Sequence, residues 1–408
     1  MLPRWTRPAA AVLALALVFA APPAFATTTP APVGLVSFTG ASLTSSGATL
    51  TISWPAAAGA ASYRVFASTS FDGVSEMTTP LVTSTSTTAT LPHLLPGHDY
   101  FVQVRGVSSG GVVGGPSMRV GHGTIAGEAT STALASHKTV TGLKVMTWNI
   151  CSNACSDFAV RKTVINSRIG ELAPGIVGIE EASKYTTAPS GYAFGYKGQN
   201  TIIYRASQFG PVKAGTAIPH GSTRFASVYA TSGHGVAWTA LRDRINGKYL
   251  VVFDVHLLSG STVAAVEQRE YEAGRLGQYV TNIYATLKVK FGSITNWVDA
   301  APIVVGDFNT NKSHPTDATQ SILRKAGWLD SFDQAHHLTR QHYNSANPTW
   351  SLLPVIGERW GDDVDKLMVK PSRTAVLSWA NVGKMSGGRF VAPLGSDHHP
   401  LMFQISVF

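Results

Sequence analysis

Five short stretches each set an acid, amide or imidazole beside a run of apolar residues. They are Met146-Thr147-Trp148-Asn149, Ile176-Val177-Gly178-Ile179-Glu180-Glu181, Val251-Val252-Phe253-Asp254-Val255-His256, Ile303-Val304-Val305-Gly306-Asp307-Phe308-Asn309 and Ser396-Asp397-His398-His399-Pro400. Each apolar run reads as a buried strand with its polar group at or just past the end. A sheet whose strand ends converge can gather such distant residues into one site. The set offers hard oxygen ligands and imidazoles and no thiolate, which suits Mg²⁺ or Mn²⁺ and phosphate ester chemistry.

The elements that must position these groups can be read around them. Phe158 to Leu172 has helical apolar spacing, with Arg161, Lys162 and Arg168 on its polar side. Thr262 to Phe291 reads as one long helix or two. Trp238–Leu241 and Lys248–Val255 read as strands joined through Asn246-Gly247, a hairpin signal. Hairpins mixed with helices predict an α/β domain with two packed sheets. The residues ahead of it differ in texture. From Gly34 to about Gly123 short alternating strands, among them Thr49–Trp54, Tyr63–Phe66, Thr87–Leu91 and Tyr100–Val104, are separated by Gly, Pro and Ser clusters. That spacing predicts an all-β sandwich. Thr27–Val33 reads as a poorly ordered lead-in, and residues 124–138, rich in Ala, Ser, Thr and Gly, read as a linker.

Residues 1–26 read as a secretory signal: Arg4 and Arg7, an apolar run from Ala9 to Ala21, then Ala24-Phe25-Ala26. No stretch is long enough to predict a transmembrane helix, so an exported, extracellular monomer is expected. In an oxidising compartment Cys151 and Cys155, the only cysteines, could close a small disulfide loop, with two free thiols as the alternative. Two cysteines are too few for a zinc site. The net charge of +9 is uneven: residues 138–408 hold 27 Lys and Arg against 19 Asp and Glu, and residues 27–137 hold three against four. The dispersed positive charge lies with the five stretches and suits a polyanion such as nucleic acid.

Two resemblances add to this reading. Trp54, Tyr63 and Leu94-Leu95-Pro96-Gly97-His98-Asp99-Tyr100 resemble the core markers of a fibronectin type III module. The resemblance implies a spacer or adhesive unit with an extracellular ligand of its own. The five stretches, in order across residues 139–408, resemble the endonuclease/exonuclease/phosphatase family of metal-dependent phosphoesterases. It implies a four-layered sandwich of two mixed β-sheets flanked by helices, preceded here by the fibronectin-like sandwich.

The second resemblance assigns roles. Asn149, Glu181 and Asp397 would hold Mg²⁺, Mn²⁺ or Ca²⁺. Glu180 stands where the family usually has Gln, which leaves open which of the two glutamates is the ligand. His256 would donate to a phosphate oxygen or protonate the leaving group. Asp307 would align or deprotonate the attacking water, and Asn309, on the same face of an extended segment, would hold the water or the phosphate. His398 would be general base or phosphate stabiliser, oriented by Asp365. Asn200 matches a strand near the site, and Arg205 and Arg269 are candidates for substrate phosphates, with a structural or solvated role as the bland alternative. Between Glu181 and Asp243 there is no Asp or Glu, so His256 lacks the partner carboxylate of pancreatic-type deoxyribonuclease. His336, His337 and His342 read as exposed loop histidines; Trp297 and the Trp350–Trp360 segment are candidate membrane contacts or core residues.

The expected function is a secreted, metal-dependent nuclease acting on DNA or RNA. A sphingomyelinase-like lipid phosphodiesterase, a sugar-phosphate phosphatase and a non-catalytic adhesion protein are the alternatives.

Overall fold

A computed structural model describes residues 28–128, 138–213, 215–230, 234–291, 300–314, 316–356 and 359–408. The expected signal segment, most of the expected linker and Trp297 lie outside the described residues.

Two sheets face each other in the C-terminal part. The first runs Tyr192–Tyr196, Thr201–Arg205, Ile176–Glu180, Val140–Asn149, Leu401–Val407, Thr374–Asn381 and Ala335–Thr339. The second runs Phe209–Pro211, Gly235–Asp243, Tyr249–His256, Ala301–Asp307, Asp365–Val369 and Leu329–Asp330, with His220–Arg224 also pairing Gly235–Asp243. Both sheets mix parallel and antiparallel pairs. Strand side chains alternate between faces, so each sheet buries both. Val145, Ile176, Ile202, Val252, Ile303 and Val305 meet between the sheets. Met146, Trp148, Val177 and Ile179 turn outward onto Ile165 and Ile169 of the Phe158–Leu172 helix. Val251, Phe253 and Val304 turn outward onto Leu276, Val280 and Leu287 of the Val263–Lys290 helix. The result is the four-layered sandwich predicted.

Local signals explain several boundaries. Val263–Lys290 is one helix, capped where Thr262 Oγ1 accepts from Ala265 N at 3.2 Å. The Asn246-Gly247 hairpin is looser than a two-residue turn: Asp243 Oδ1 accepts from Ile245 N and Asn246 N, giving a four-residue loop, 244–247. Arg161, expected on the polar face of its helix, is buried, for reasons given below.

The N-terminal strands form two sheets as expected, Ser37–Thr44, Gly47–Ser53 and Thr88–Leu94 against Ser62–Ser68, Asp99–Val107 and their neighbours. Trp54 and Tyr63 meet edge to face at 5.3 Å, as the core markers suggested. Two expectations need correction. The lead-in is packed, with Ala31 N bonded to Ala58 O and Val33 buried. The start of the linker is packed too: Thr124 Oγ1 donates to Leu95 O at 2.6 Å and Ile125 is fully buried.

The sandwich is joined to the larger part. Ser37–Thr44 pairs with Ala335–Thr339 at Gly40↔His337, so the first sheet continues into the sandwich as ten strands. The three histidines expected in exposed loops lie along this seam. His336 pairs with Glu128, His337 is in the strand, and His342 is buried near Phe38.

Burial, opposed by a backbone hydrogen bond with Val36 and aided by nearby His122, lowers His342 to about 4. A folded-state pKa below the unfolded value of about 6.5 means the unfolded chain binds the extra proton between these pH values. Stability from this group is therefore complete above pH 6.5 and falls as pH drops towards 4, by about 3 kcal/mol in all. Denaturant unfolding at pH 7 and pH 5 should show the loss, and His342→Asn should flatten the slope by about one proton. An unchanged slope in that variant would contradict the assignment.

Candidate functional site

The two sheets bring their polar strand ends to the same edge of the sandwich. In the first sheet Asn149 lies beside Glu180 in parallel register. In the second, His256, Asp307 and Asp365 lie side by side across three strands, paired His256↔Asp307 and Asp307↔Asp365. Gly306 makes that register possible. Its φ is +147°, and a Cβ there would lie 1.9 Å from the Val255 carbonyl oxygen.

Sharp turns then aim the side chains. Glu181 takes a left-handed φ of 53° immediately after its strand, and Asn309 a φ of 50°. Asn149 Nδ2 donates to Glu181 Oε1 and to Asp307 Oδ2, both at 3.0 Å, while its Oδ1 accepts from Cys151 N. One amide thus ties the two sheets together at the site. Asp307 Oδ2 also lies 3.7 Å from His256 Nε2 and 3.9 Å from His398 Nε2. His398 Nδ1 donates to Asp365 Oδ2 at 2.9 Å, and the other Asp365 oxygen is buried without a hydrogen-bond partner.

The two adjacent glutamates have different environments. Glu180 points between the sheets, accepts from Thr147 Oγ1 at 2.7 Å and faces Asp254. Burial, then the neighbouring carboxyl of Asp254, raises Glu180 well above the usual carboxyl range, and burial raises Asp254 to about 7. The pair lies behind the site, where burial favours the neutral form of each carboxyl. Glu181, one residue on, turns out to Asn149. It is the glutamate presented to the site.

Asp397 and His398 diverge. His398 joins Asp307 and Asp365, their ligand atoms all within 4.8 Å of one another. Asp397 sits within 4.8 Å of both sulfurs of the Cys151–Cys155 disulfide and accepts from Ser396 Oγ. Because those sulfurs are bonded to each other, that cluster offers a cation only the carboxylate. The disulfide loop is itself pinned by Arg161, whose buried guanidinium donates to Ile150 O, Cys151 O and Gly395 O. A lone Arg on a helix that must bridge two loops gave no sequence signal. His399 turns away and stacks on Phe390 at 3.7 Å.

Electrostatics separate the two histidines. Burial alone would lower His398, but Asp365, by charge and hydrogen bond, and then Asp307 and Asp397 outweigh it and raise it to about 10. Burial, then His234 and His398, holds His256 well below the usual imidazole range. His234 packs edge to face on His256 at 4.4 Å, so the segment without Asp or Glu supplies an imidazole where a carboxylate was missing. No motif or spacing around His234 marks it as a site residue.

Three expectations change. Arg269 does not face the site: both its Nε and Nη2 bind Asp317, at 2.9 and 2.8 Å, and Nη1 donates to Leu258 O and Gly260 O. Arg205 ends a strand antiparallel to Ile176–Glu180, opposite the start of that strand and so at the far edge of the sheet. Asn309 does not continue an extended segment with Asp307. The left-handed turn directs its Nδ2 to Leu257 O at 2.9 Å, while its backbone N donates to Asp307 Oδ1. Asn200 does lie near, with its Nδ2 on Asp254 O.

Glu181, Asp307 and Asp365 face a site edge at which His398 is the cation, Asp397 adds its charge beside His398, and one Asp365 oxygen is unpartnered. This all-oxygen, excess-negative donor set fits a hard divalent cation.

With the geometry established, comparisons place the chain among known proteins. The fibronectin type III family model matches residues 31–120. No curated protein matches the chain in sequence. Among solved structures it is similar to an endonuclease/exonuclease/phosphatase family protein from Bacteroides thetaiotaomicron, at 18% identity over 67% of this chain and 97% of that one, with a TM-score of 0.49. It is also similar to a mannosyl-6-phosphatase of that species, at 17% identity over 65% and 100%, TM-score 0.45. A third is TDP2 of D. rerio in complex with a single-strand DNA product, at 16% identity over 65% and 99%, TM-score 0.44.

The contrast between the glutamates is testable. Glu180→Gln keeps a neutral side chain beside Asp254 and should keep turnover within about threefold, whereas Glu181→Gln should lose roughly 10²-fold or more. Steady-state rates with Mn²⁺ on a generic phosphodiester decide it; equal losses in both variants would contradict the placement.

Proposed function

We propose that the protein is a secreted, metal-dependent phosphodiesterase that hydrolyses DNA or RNA. The observation that carries this reading is the meeting of Asn149, Glu181, Asp307, Asp365 and His398 from two sheets at one edge, with Asp307 within 4 Å of both His256 and His398.

Glu181, with the Asn149 amide on its Oε1, and Asp397 would hold a Mg²⁺ or Mn²⁺ ion. Such an ion, when bound, polarises a phosphoryl oxygen and offsets charge on the leaving oxygen. The remaining chemistry belongs to the chain. Asp307, held by the Asn309 backbone N–H, takes the proton of the attacking water at Oδ2. The His398 imidazolium, held by Asp365, faces the charge that develops on the phosphoryl group. Neutral His256 donates through Nε2 to a phosphoryl oxygen. The His234 ring packs edge to face on it, and among the described residues no carboxylate accepts from His256 Nδ1, so the proposed mechanism differs from that of an enzyme with a carboxylate there.

The net +8 of residues 138–408 supports a polyanionic substrate, because dispersed positive charge raises the local concentration of nucleic acid. One observation favours a second reading, a lipid phosphodiester. Ala346 bridges to His398, and the loop that follows exposes Trp350, Leu353, Val355 and Ile356. An apolar rim of this kind beside the site suits a lipid surface.

A substrate panel separates them. With Mg²⁺ or Mn²⁺, plasmid DNA or RNA should be cut and EDTA should stop the reaction. Asp307→Ala and His398→Ala should each lose roughly 10²–10⁴-fold in rate while melting as folded protein. Cleavage of sphingomyelin vesicles alone would replace the nuclease reading, and nuclease activity that persists in EDTA would remove the metal.

A further inference from the structure

Two loops carry site residues, and both are fastened to the fibronectin type III domain. The first leaves Asp307 and Asn309 and reaches Lys312 three residues later. Lys312, its side chain 12% exposed, binds through Nζ to Asp99 Oδ1 of the fibronectin type III domain at 2.7 Å and to Asp333 Oδ2 at 2.5 Å. Asp333 in turn accepts from Gly123 N of that domain at 3.1 Å through its other oxygen. One ammonium therefore joins a site loop to carboxylates on both sides of the seam.

The second loop leads into Asp365. Its Trp360 packs on Phe101 of the fibronectin type III domain with ring centroids 4.8 Å apart, and the Lys312 ammonium lies 4.8 Å from the same indole. A Cβ at Gly121 would lie 2.7 Å from the Trp360 ring, so the two surfaces are in close contact. Gly121 N also donates to Arg359 O at 2.5 Å. The two loops hold one another: Asn311 Nδ2 donates to Asp362, and Phe308 N to Val364 O at 2.9 Å. Around this core, the His122 ring lies between Phe38 at 5.0 Å and Phe332 at 4.6 Å.

We infer that the fibronectin type III domain is a working part of the site: through Lys312 and Trp360 it fixes the two loops, 308–313, which carries Asn309, and 359–364, which leads into Asp365. A spacer or adhesive module joined by a flexible tether would show none of these contacts. Lys312 is a positioning residue. It touches neither Asp307 nor His398, and acts on them through the backbone of loop 308–313 and through Trp360. Losing the ammonium would leave Asp99 and Asp333 facing one another without their cation, and losing the Asp99 carboxylate would remove the fibronectin type III side of the tie; in either case the loops would relax. Small misplacements of catalytic groups are costly, since reactivity depends on near-attack geometry.

The catalytic half of this inference rests on the phosphodiesterase reading; the docking half does not. Full-length protein with Mn²⁺ and bis(4-nitrophenyl) phosphate gives both kcat and KM. Lys312→Met and Asp99→Asn should each lower kcat about tenfold with KM changed less than about twofold. Lys312→Arg, which keeps the charge, should retain more turnover than Lys312→Met. Thr83→Ala, on the exposed edge strand of the fibronectin type III domain, should match the wild type. In calorimetry the wild type should unfold in one transition whose calorimetric and van't Hoff enthalpies agree. Folded Lys312→Met and Asp99→Asn proteins with wild-type kcat would overturn the positioning role, and two independent transitions in the wild type would overturn docking. If the wild type hydrolyses no phosphodiester at all, the phosphodiesterase reading fails, and the number of unfolding transitions alone decides whether the domains form one unit.

Discussion

Like charges held close together at a buried sheet edge are the constraint on which the rest of the site depends. Glu181, Asp307 and Asp365 converge there with His398 as the cation. Carboxylates removed from water repel one another strongly and need a positive partner or a proton. The protein answers in three ways. Neighbouring carboxylates raise His398 to about 10, one amide of Asn149 donates to two carboxylates at once, and behind the site burial raises Glu180 and Asp254 above the usual carboxyl range. None of these cancels the excess negative charge, and a divalent cation is the species that would.

Holding such groups together requires a rigid frame, and the register of the two sheets supplies it. The pairs Asn149↔Glu180, His256↔Asp307 and Asp307↔Asp365 fix the spacing before any side chain is placed. Left-handed turns at Glu181 and Asn309 then set direction. Backbone conformations of this kind are disfavoured for side-chain-bearing residues, and they persist because the surrounding sheets and hydrogen bonds over-determine them. The fibronectin type III domain extends the frame by continuing the first sheet and by packing Phe101 and Asp99 onto the loops that follow Asp307 and precede Asp365.

Much of this was legible in the sequence because it is local. Apolar runs such as Val251–Val255 and Ile303–Val305, each ended by a polar residue, announce buried strands with their chemistry at the tip. What was not legible depends on contacts between residues far apart in the chain. Whether Glu180 or Glu181 faces the site depends on Asp254, over seventy residues later. Arg269 reads as a substrate contact until Asp317 is seen on its guanidinium. Asn309 was expected to share a face with Asp307, but a turn set by Leu257 O intervenes. The seam with the fibronectin type III domain joins residues about 210 apart, beyond the reach of any periodicity.

The most direct measurement of the central claim is Mn²⁺ binding followed by electron paramagnetic resonance, in the wild type and in Glu181→Gln. Saturable binding in the wild type, lost or strongly weakened in the variant, is the expected result. No saturable binding in the wild type, or equal binding in both proteins, would contradict the claim that these converging carboxylates form a metal centre.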